Sequence, residues 1–295
     1  MSVRTRRAIV IVLLLAAALS LGLYAALAGG PPVLTAADLA DWDGSGLELR
    51  FFDVGQADCI LLRCGGQAML VDGGNRDDGP AVLAALQALG VERLDLVVCT
   101  HAHEDHAGGL SYLISRLPCG QALAPYTESD SVWFNDYVAV AAERGMLRVA
   151  RAGEEYALGE ARVQVLGPLR EHEDVNDGSL ILRVRYGETA ALLTGDAGWQ
   201  AERDLVDAGC ELRSQLLQVG HHGANGSTGY LFLEQVGPEW AVISVGADNE
   251  YGHPGAYTLE RLADAGVTVL RTDEQGTIVC RSDGRRFSCG CLADE

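Results

Sequence analysis

The sequence predicts an α+β protein in which two β-sheets pack face to face with helices outside both. Three observations carry that reading. Strand-like runs outnumber helix-like runs, the helices are spread along the chain, and the residues suited to chemistry fall in loops just after strands. A single doubly wound sheet does not fit a chain whose first folded stretch, residues 47–71, is all strand. With 295 residues, 48% of them hydrophobic, the chain can bury a sizeable core, which excludes disorder over its length.

The elements follow in order. Arg4, Arg6 and Arg7 precede residues 8–28, which carry no charge. About 20 apolar residues cross a hydrocarbon core as a helix, and arginines ahead of it stay cytoplasmic. Residues 1–28 therefore read as a signal-anchor or transmembrane segment, giving a single-pass cell-membrane protein with its folded part outside. Ala26-Leu27-Ala28 also reads as a cleavage site, and cutting there would yield a secreted protein. Residues 29–46, punctuated by Gly, Pro and Asp, read as a linker, and residues 47–295 as one folded domain.

Within that domain, strands are predicted at 47–52, 59–63 and 68–71, then a helix at 80–89 with Pro80 at its start and Gly90 at its stop. A buried strand at 94–100 runs into a His-rich loop. A helix at 131–144 precedes strands at 162–166, 180–184 and 190–193. Helices at 199–208, 228–235 and 256–265 then alternate with strands at 215–219, 240–244 and 268–271, and a strand at 277–280 follows. Cys280 and Cys289 flank a hairpin whose loop would be Gly284-Arg285, a register that lets them form a disulfide, with Cys291 as competitor. Cys59 and Cys99 lie in apolar runs and read as buried thiols. Eight cysteines suit an exported protein.

The charge is lopsided: 41 acidic residues oppose 22 arginines, with no lysine, a net −19. That excludes sequence-independent coating of nucleic acid, which rests on cations neutralising phosphates. Residues 144–185 hold seven arginines against seven acids, so the negative field is weakest there, and charges farther than about 8 Å are screened in physiological salt. Short or single-stranded substrates suit this balance better than long duplexes.

The strongest chemical signal is Thr100-His101-Ala102-His103-Glu104-Asp105-His106, followed by Ala107-Gly108-Gly109. Imidazole and carboxylate suit zinc and related divalent ions, and alternate residues of an extended loop, here His101 and His103, project toward one ion. Asp105 and His106, at the turn into the next helix, can face a second.

His-x-His-x-Asp-His resembles the signature of the metallo-β-lactamase superfamily, and the flanking segments narrow the likeness. FFDVGQADCILL, LVDGG, NDGSLILRV, LLTGDAG, LQVGHHGANGST, ISVGADNEYGHP and RTDEQGTI resemble, in order, the metallo-hydrolase domain of ComEC-type DNA-uptake proteins, over about residues 47–280. Many of those proteins carry Asp where this chain has His103, so its metal loop lies closer to the wider superfamily pattern.

The resemblance implies a four-layer αββα sandwich and makes residues 47–295 a metallo-β-lactamase-like hydrolase domain. It implies two divalent ions, Zn²⁺ or Mn²⁺, sharing a bridging hydroxide. Asp196, in LLTGD, matches the carboxylate that bridges the metals, and its bland alternative is a cap for the helix from Trp199. His253 matches a histidine on the second metal. His221 and His222 line the site, where one could hold a phosphate oxygen or protonate a leaving group. Asp105, Asp196, His221 and His222 are thus the catalytic candidates. Asn176 and Asp177 stand where the superfamily's further metal ligand is expected, and His172, four residues earlier, reads mainly as a solvated surface residue. Asp53, Gln56, Asp58 and Asp72 lie in loops facing the same end. Asp58 and Asp72 are candidates to orient metal-bound histidines, or else simply form turns. Gly73-Gly74 reads as a tight turn rather than a phosphate cradle.

The resemblance further implies a phosphodiesterase or nuclease acting outside the membrane, with a DNA-uptake channel as a partner. The alternatives are a cell-envelope esterase, a β-lactam or lactone hydrolase on the same fold, or an anchored binding protein without catalysis.

Overall fold

Fifteen strands lie among the described residues, 31–35, 38–39 and 42–292 of a computed structural model. The segment expected in the membrane, residues 8–28, lies outside them. Among the described residues no helix is long and apolar enough to cross a membrane. The strands are β1 (Leu47–Phe51), β2 (Ile60–Cys64), β3 (Gln67–Val71), β4 (Leu94–Val98), β5 (Cys119–Ala124), β6 (Leu147–Val149), β7 (Glu155–Leu158) and β8 (Ala161–Gly167). They continue as β9 (Ile181–Tyr186), β10 (Thr189–Leu193), β11 (Leu216–Gln218), β12 (Trp240–Ile243), β13 (Thr268–Arg271), β14 (Ile278–Ser282) and β15 (Phe287–Cys291).

One sheet has eight strands in the order β15-β14-β1-β2-β3-β4-β5-β6, and the other has seven in the order β13-β12-β11-β10-β9-β8-β7. Strand periodicity explains why they face each other. Alternate residues of β1 and β2 (Leu47, Leu49, Phe51, Ile60, Leu62) meet alternate residues of β8 to β10 (Val163, Val165, Leu182, Val184, Ala191, Leu193) in one buried cluster. The opposite faces are covered by helices. Val82, Leu86, Leu113, Phe134 and Tyr137 pack on the first sheet, and Leu205, Phe232, Leu233 and Leu262 on the second. The layers therefore run helix, sheet, sheet, helix, and each fully buried Leu or Phe stabilises them by about 1.5–3 kcal/mol.

Among the elements outside the predicted spans are β5, β6, β7 and the helix Leu110–Arg116. The strands β6 and β7 are short edges with little burial contrast, and β5 opens on a partly exposed Cys-Gly-Gln. The helix follows Gly108-Gly109, which reads as a breaker. Those glycines permit close packing, since a Cβ on Gly109 would meet the Gly73 carbonyl oxygen at 2.1 Å.

The stretch expected to be a linker is docked over its described part. Val33 bridges Cys289 on the edge strand β15, and the Leu34 amide donates to the Cys289 carbonyl at 2.9 Å. Trp42 lies under the Arg63 guanidinium at 4.2 Å. Arg63 and Arg281 both bind Glu48, which is fully buried on β1. A buried carboxylate is tolerated only with such partners. Cys280 and Cys289 face each other across β14 and β15 and are joined as a disulfide, leaving Cys291 free.

Strands β3 to β6 run parallel, as do β10 to β13. The carboxyl ends of β3, β4, β10, β11 and β12 consequently deliver their following loops to one place.

Candidate metal centre

The first loop is built on Asp72, which follows β3 and is fully buried. One of its oxygens accepts from the Thr100 amide at 2.8 Å, and the other from the Thr100 hydroxyl at 2.7 Å. The second oxygen also lies 2.8 Å from His106 Nδ1. A carboxylate only accepts, so His106 carries its hydrogen on Nδ1 and turns the Nε2 lone pair inward. His101 repeats the device: Nδ1 lies 3.1 Å from the Thr100 oxygen, whose own hydrogen is committed to Asp72. His222 does so again, with Nδ1 2.9 Å from the Ser244 carbonyl, which can only accept. Three histidines from two loops thus present Nε2 to one interior point.

The second loop leaves β11 through Gly220–Gly223, where His221 and His222 both take positive φ of 52°. Such left-handed residues cost roughly 1–3 kcal/mol each and need a frame that over-determines them. The frame is on hand. The His221 amide donates to the Gly195 carbonyl at 3.1 Å, and Ser227 Oγ donates to the Gly220 carbonyl at 2.6 Å. Behind them, buried Glu202 accepts from the amides of Thr228 and Gly229, while Arg261 donates to the carbonyls of Asn225, Ser227 and Thr228. Gln218 ties the loops together, accepting from the Thr194 and Gly195 amides and donating to Asp58 at 2.9 Å.

Asp196, after β10, sits between the two sets. Its Oδ1 lies 3.2 Å from His106 Nε2 and 3.7 Å from His222 Nε2, and its Oδ2 lies 3.8 Å from both His101 Nε2 and His221 Nε2. Asp105, His106, Asp196 and His222 offer donor atoms within 4.8 Å of one another, as do His101, His103 and Asp196. Burial disfavours the His106 cation, yet the Asp196, Asp72 and Asp105 carboxylates outweigh it and raise that histidine well above its usual range. His222 is pushed up to about 9 by the same contest, with Asp196 and Asp105 prevailing over burial. For Asp105 burial is overcome by His106 and His222, and its pKa falls to about 2. Burial pushes Asp58 up to about 6, against the pull of His222 and His106.

Burial and the neighbouring His106 push His101 down, but around His106 and His222 the carboxylates make this a pocket that draws positive charge. No arginine lines it, and the buried His106 Nε2 and Asp196 Oδ1 have no hydrogen-bond partner. Imidazole and carboxylate donors of this kind fit divalent metals. The donors open on a cleft of about 340 Å³ lined also by Gln56, Glu104, His221, Tyr251 and His253.

A model of the metallo-β-lactamase superfamily matches residues 52–246. The chain belongs to the metallo-β-lactamase superfamily. Its family is that of the metallo-β-lactamase-fold hydrolases. The chain is 31% identical over 202 residues to ComE operon protein 3 of Bacillus subtilis and 34% identical over 230 residues to competence protein ComA of Neisseria gonorrhoeae. Those matches cover 68% and 77% of this chain but only 26% and 31% of the relatives' own length. Among solved structures, the metallo-β-lactamase fold protein YhfI of Bacillus subtilis superposes with a TM-score of 0.52 at 12% identity, covering 79% of this chain and 99% of that one.

Not every residue expected from the superfamily pattern joins the centre. His253 lines the cleft, with its ring centroid 5.5 Å from that of His221 and 6.5 Å from that of His222, but it enters neither donor group. His222 stands with the ligand candidates instead. Asp177 also falls outside both groups, and Asn176 Oδ1 is buried without a hydrogen-bond partner. Asp177 Oδ1 accepts from the amides of Gly198 and Ala201, which makes it the cap of the helix Trp199–Asp207, the bland role weighed for Asp196. His172 is not a solvated surface residue: its side chain is buried, 3.3 Å from Asp204. Asp53 closes a local turn onto the Gly55 amide, and Gln56 accepts from Gly246 at the cleft wall. Asp58 and Asp72 hold site residues rather than turns. Gly73-Gly74 is a packing turn, its amides donating to the His106 and Asp58 carbonyls. None of the arginines of 144–185 reaches the cleft lining, and Arg162, Arg170 and Arg185 pair with Glu155 or Asp204. Gln218, Ser244, Glu202 and Arg261 brace the centre; Gln218 and Ser244 lie in segments that carry the resemblance but are not marked out by it, and Glu202 and Arg261 lie outside those segments.

Proposed function

We propose that this chain is a metal-dependent phosphodiesterase acting on short or single-stranded nucleic acid outside the membrane. The observation that carries the reading is one buried carboxylate, Asp196, shared by two donor groups that open on a common cleft. His101, His103 and Asp196 would hold one divalent ion, and Asp105, His106, His222 and Asp196 a second, with Zn²⁺ and Mn²⁺ the candidates. When bound, two such ions supply Lewis acidity toward a phosphoryl group and an activated water near neutral pH.

The chain's own residues do the rest. Asp72, Thr100 and Ser244 fix which imidazole nitrogens face inward. His221 is partly exposed on the cleft and its Nε2 is not committed to the backbone, so it contacts a phosphate oxygen or gives a proton to the leaving group. The fully buried walls behind the donors exclude bulk water from that side. Nucleic acid as substrate is supported by the competence relatives, and a short or single strand by a cleft without arginine. The disulfide and the uncharged run at residues 8–28 support a place outside the membrane, in a protein that is membrane-anchored or released by cleavage, with a DNA-uptake channel as the candidate partner.

The test is turnover after loading with Zn²⁺ or Mn²⁺. Bis(p-nitrophenyl) phosphate and single-stranded oligonucleotides are compared with a β-lactam, a lactone and a simple carboxylic ester. Hydrolysis of the phosphodiesters is expected. Turnover confined to the β-lactam, lactone or ester would overturn the assignment in favour of that class.

A further inference from the structure

No arginine lines the cleft, yet it carries an exposed aromatic ring. Tyr251 lines the cleft beside His253 and His221 and is 72% exposed. Its ring lies over that of His253, with centroids 5.7 Å apart and planes 26° from parallel.

The turn that carries both rings is braced. The Asn249 side chain donates to the carbonyls of Gly246 and His253 and accepts from the amides of Tyr251 and His253. Tyr251 is therefore presented flat on a held loop at the mouth of the metal centre, not at the tip of a loose one. Every nucleobase has a π-face, so stacking on such a ring holds a strand without regard to sequence and without positive charge.

We propose that Tyr251 is the stacking platform for a nucleobase next to the scissile phosphodiester, and that it is the strand-holding element of a cleft lined by no arginine. The inference rests on the phosphodiesterase reading for the reaction, but it makes a claim about binding alone. Tyr230 is a suitable control: it is 58% exposed, outside the cleft lining, and its hydroxyl reaches Asp264 at 3.2 Å.

The experiment measures binding of a dye-labelled thymidine octamer, and of an abasic octamer of equal length, by fluorescence anisotropy. Metal-loaded wild-type protein is expected to bind the base-bearing strand about tenfold or more tighter than the abasic one. Tyr251→Ala should bring the two strands close to parity, with Tyr251→Phe and Tyr230→Ala keeping the preference. In hydrolysis the Tyr251→Ala defect should appear in KM rather than kcat, and only on the base-bearing strand. Equal binding of both strands by wild type, including no binding of either, overturns the proposal, as does a preference that survives Tyr251→Ala. A weakening that strikes both strands alike in Tyr251→Ala also overturns it, by making Tyr251 a support for His253. Base-dependent binding without turnover of either strand would remove the phosphodiesterase reading and leave the stacking platform in place.

Discussion

The two loops that supply histidines are held by different means. Residues 100–106 are oriented from inside, by the Asp72 carboxylate bonded to His106 and, through Thr100, to His101. Residues 220–229 are oriented from outside, by Glu202 and Arg261 gripping backbone amides and carbonyls behind the ring of His222. The first arrangement sets ring direction and charge together. The second sets the path of the chain and leaves charge to Asp196 and Asp105. Disturbing the first should therefore register in metal affinity, and disturbing the second in stability.

The largest effect should come from the residue common to both. Asp196→Ala is expected to lose bound metal and to cut turnover at least about 10³-fold, since it removes the carboxylate that faces both donor groups. Retention of two ions per chain by elemental analysis would break the shared-carboxylate picture. His222→Ala is expected to lower metal content from about two ions per chain to about one, because His101, His103 and Asp196 keep their own set. Full metal content with reduced turnover would return His222 to the role of proton donor.

Asp72→Asn should act more mildly, by weakening the acceptor that aims His106. Loss of such an outer partner costs about 10–100-fold in metal affinity or activity, readable by competitive chelation. Unchanged affinity would mean that Thr100 alone holds the loop.

The remaining effect is thermodynamic. Burial pushes the Glu202 carboxyl up to about 7, with Asp177 adding to it, while the Gly229 and Thr228 amides and Arg261 pull the other way. The folded protein thus keeps that proton at pH values where the unfolded chain, near 4.5, has released it. Stability from this group is present below about pH 4.5 and is lost as pH rises through about 7, by roughly 3 kcal/mol in all. Glu202→Gln should flatten that part of the stability-against-pH curve in denaturant titrations while leaving metal content near wild type. An unchanged slope would show that other groups produce it.

Much of this could be read from the sequence because it is local. Three histidines within six residues after a strand declare a metal loop, and Leu47, Leu49 and Phe51 declare a buried strand face. Family motifs brought in Asp196 and the GHHG turn, but not which of its two histidines points inward. That depends on Ser244, 22 residues away, and on backbone angles that non-glycine residues rarely adopt. Gln218 and Asp58 are 160 residues apart, and neither carries a pattern that announces the other. The edge strands β6 and β7 escaped because pairing, not apolar periodicity, makes them strands.

The docking of residues 33–34 on β15 also has a mechanical side. A pull on the chain ahead of residue 31 meets the Leu34–Cys289 hydrogen bond before it meets the domain interior. Cys289 passes that load through its disulfide to Cys280 on β14, and β14 passes it across the ladder to β1. Tension on the amino-terminal segment is thus taken up at the sheet edge, and the loops that set the Nε2 atoms in place carry none of it directly.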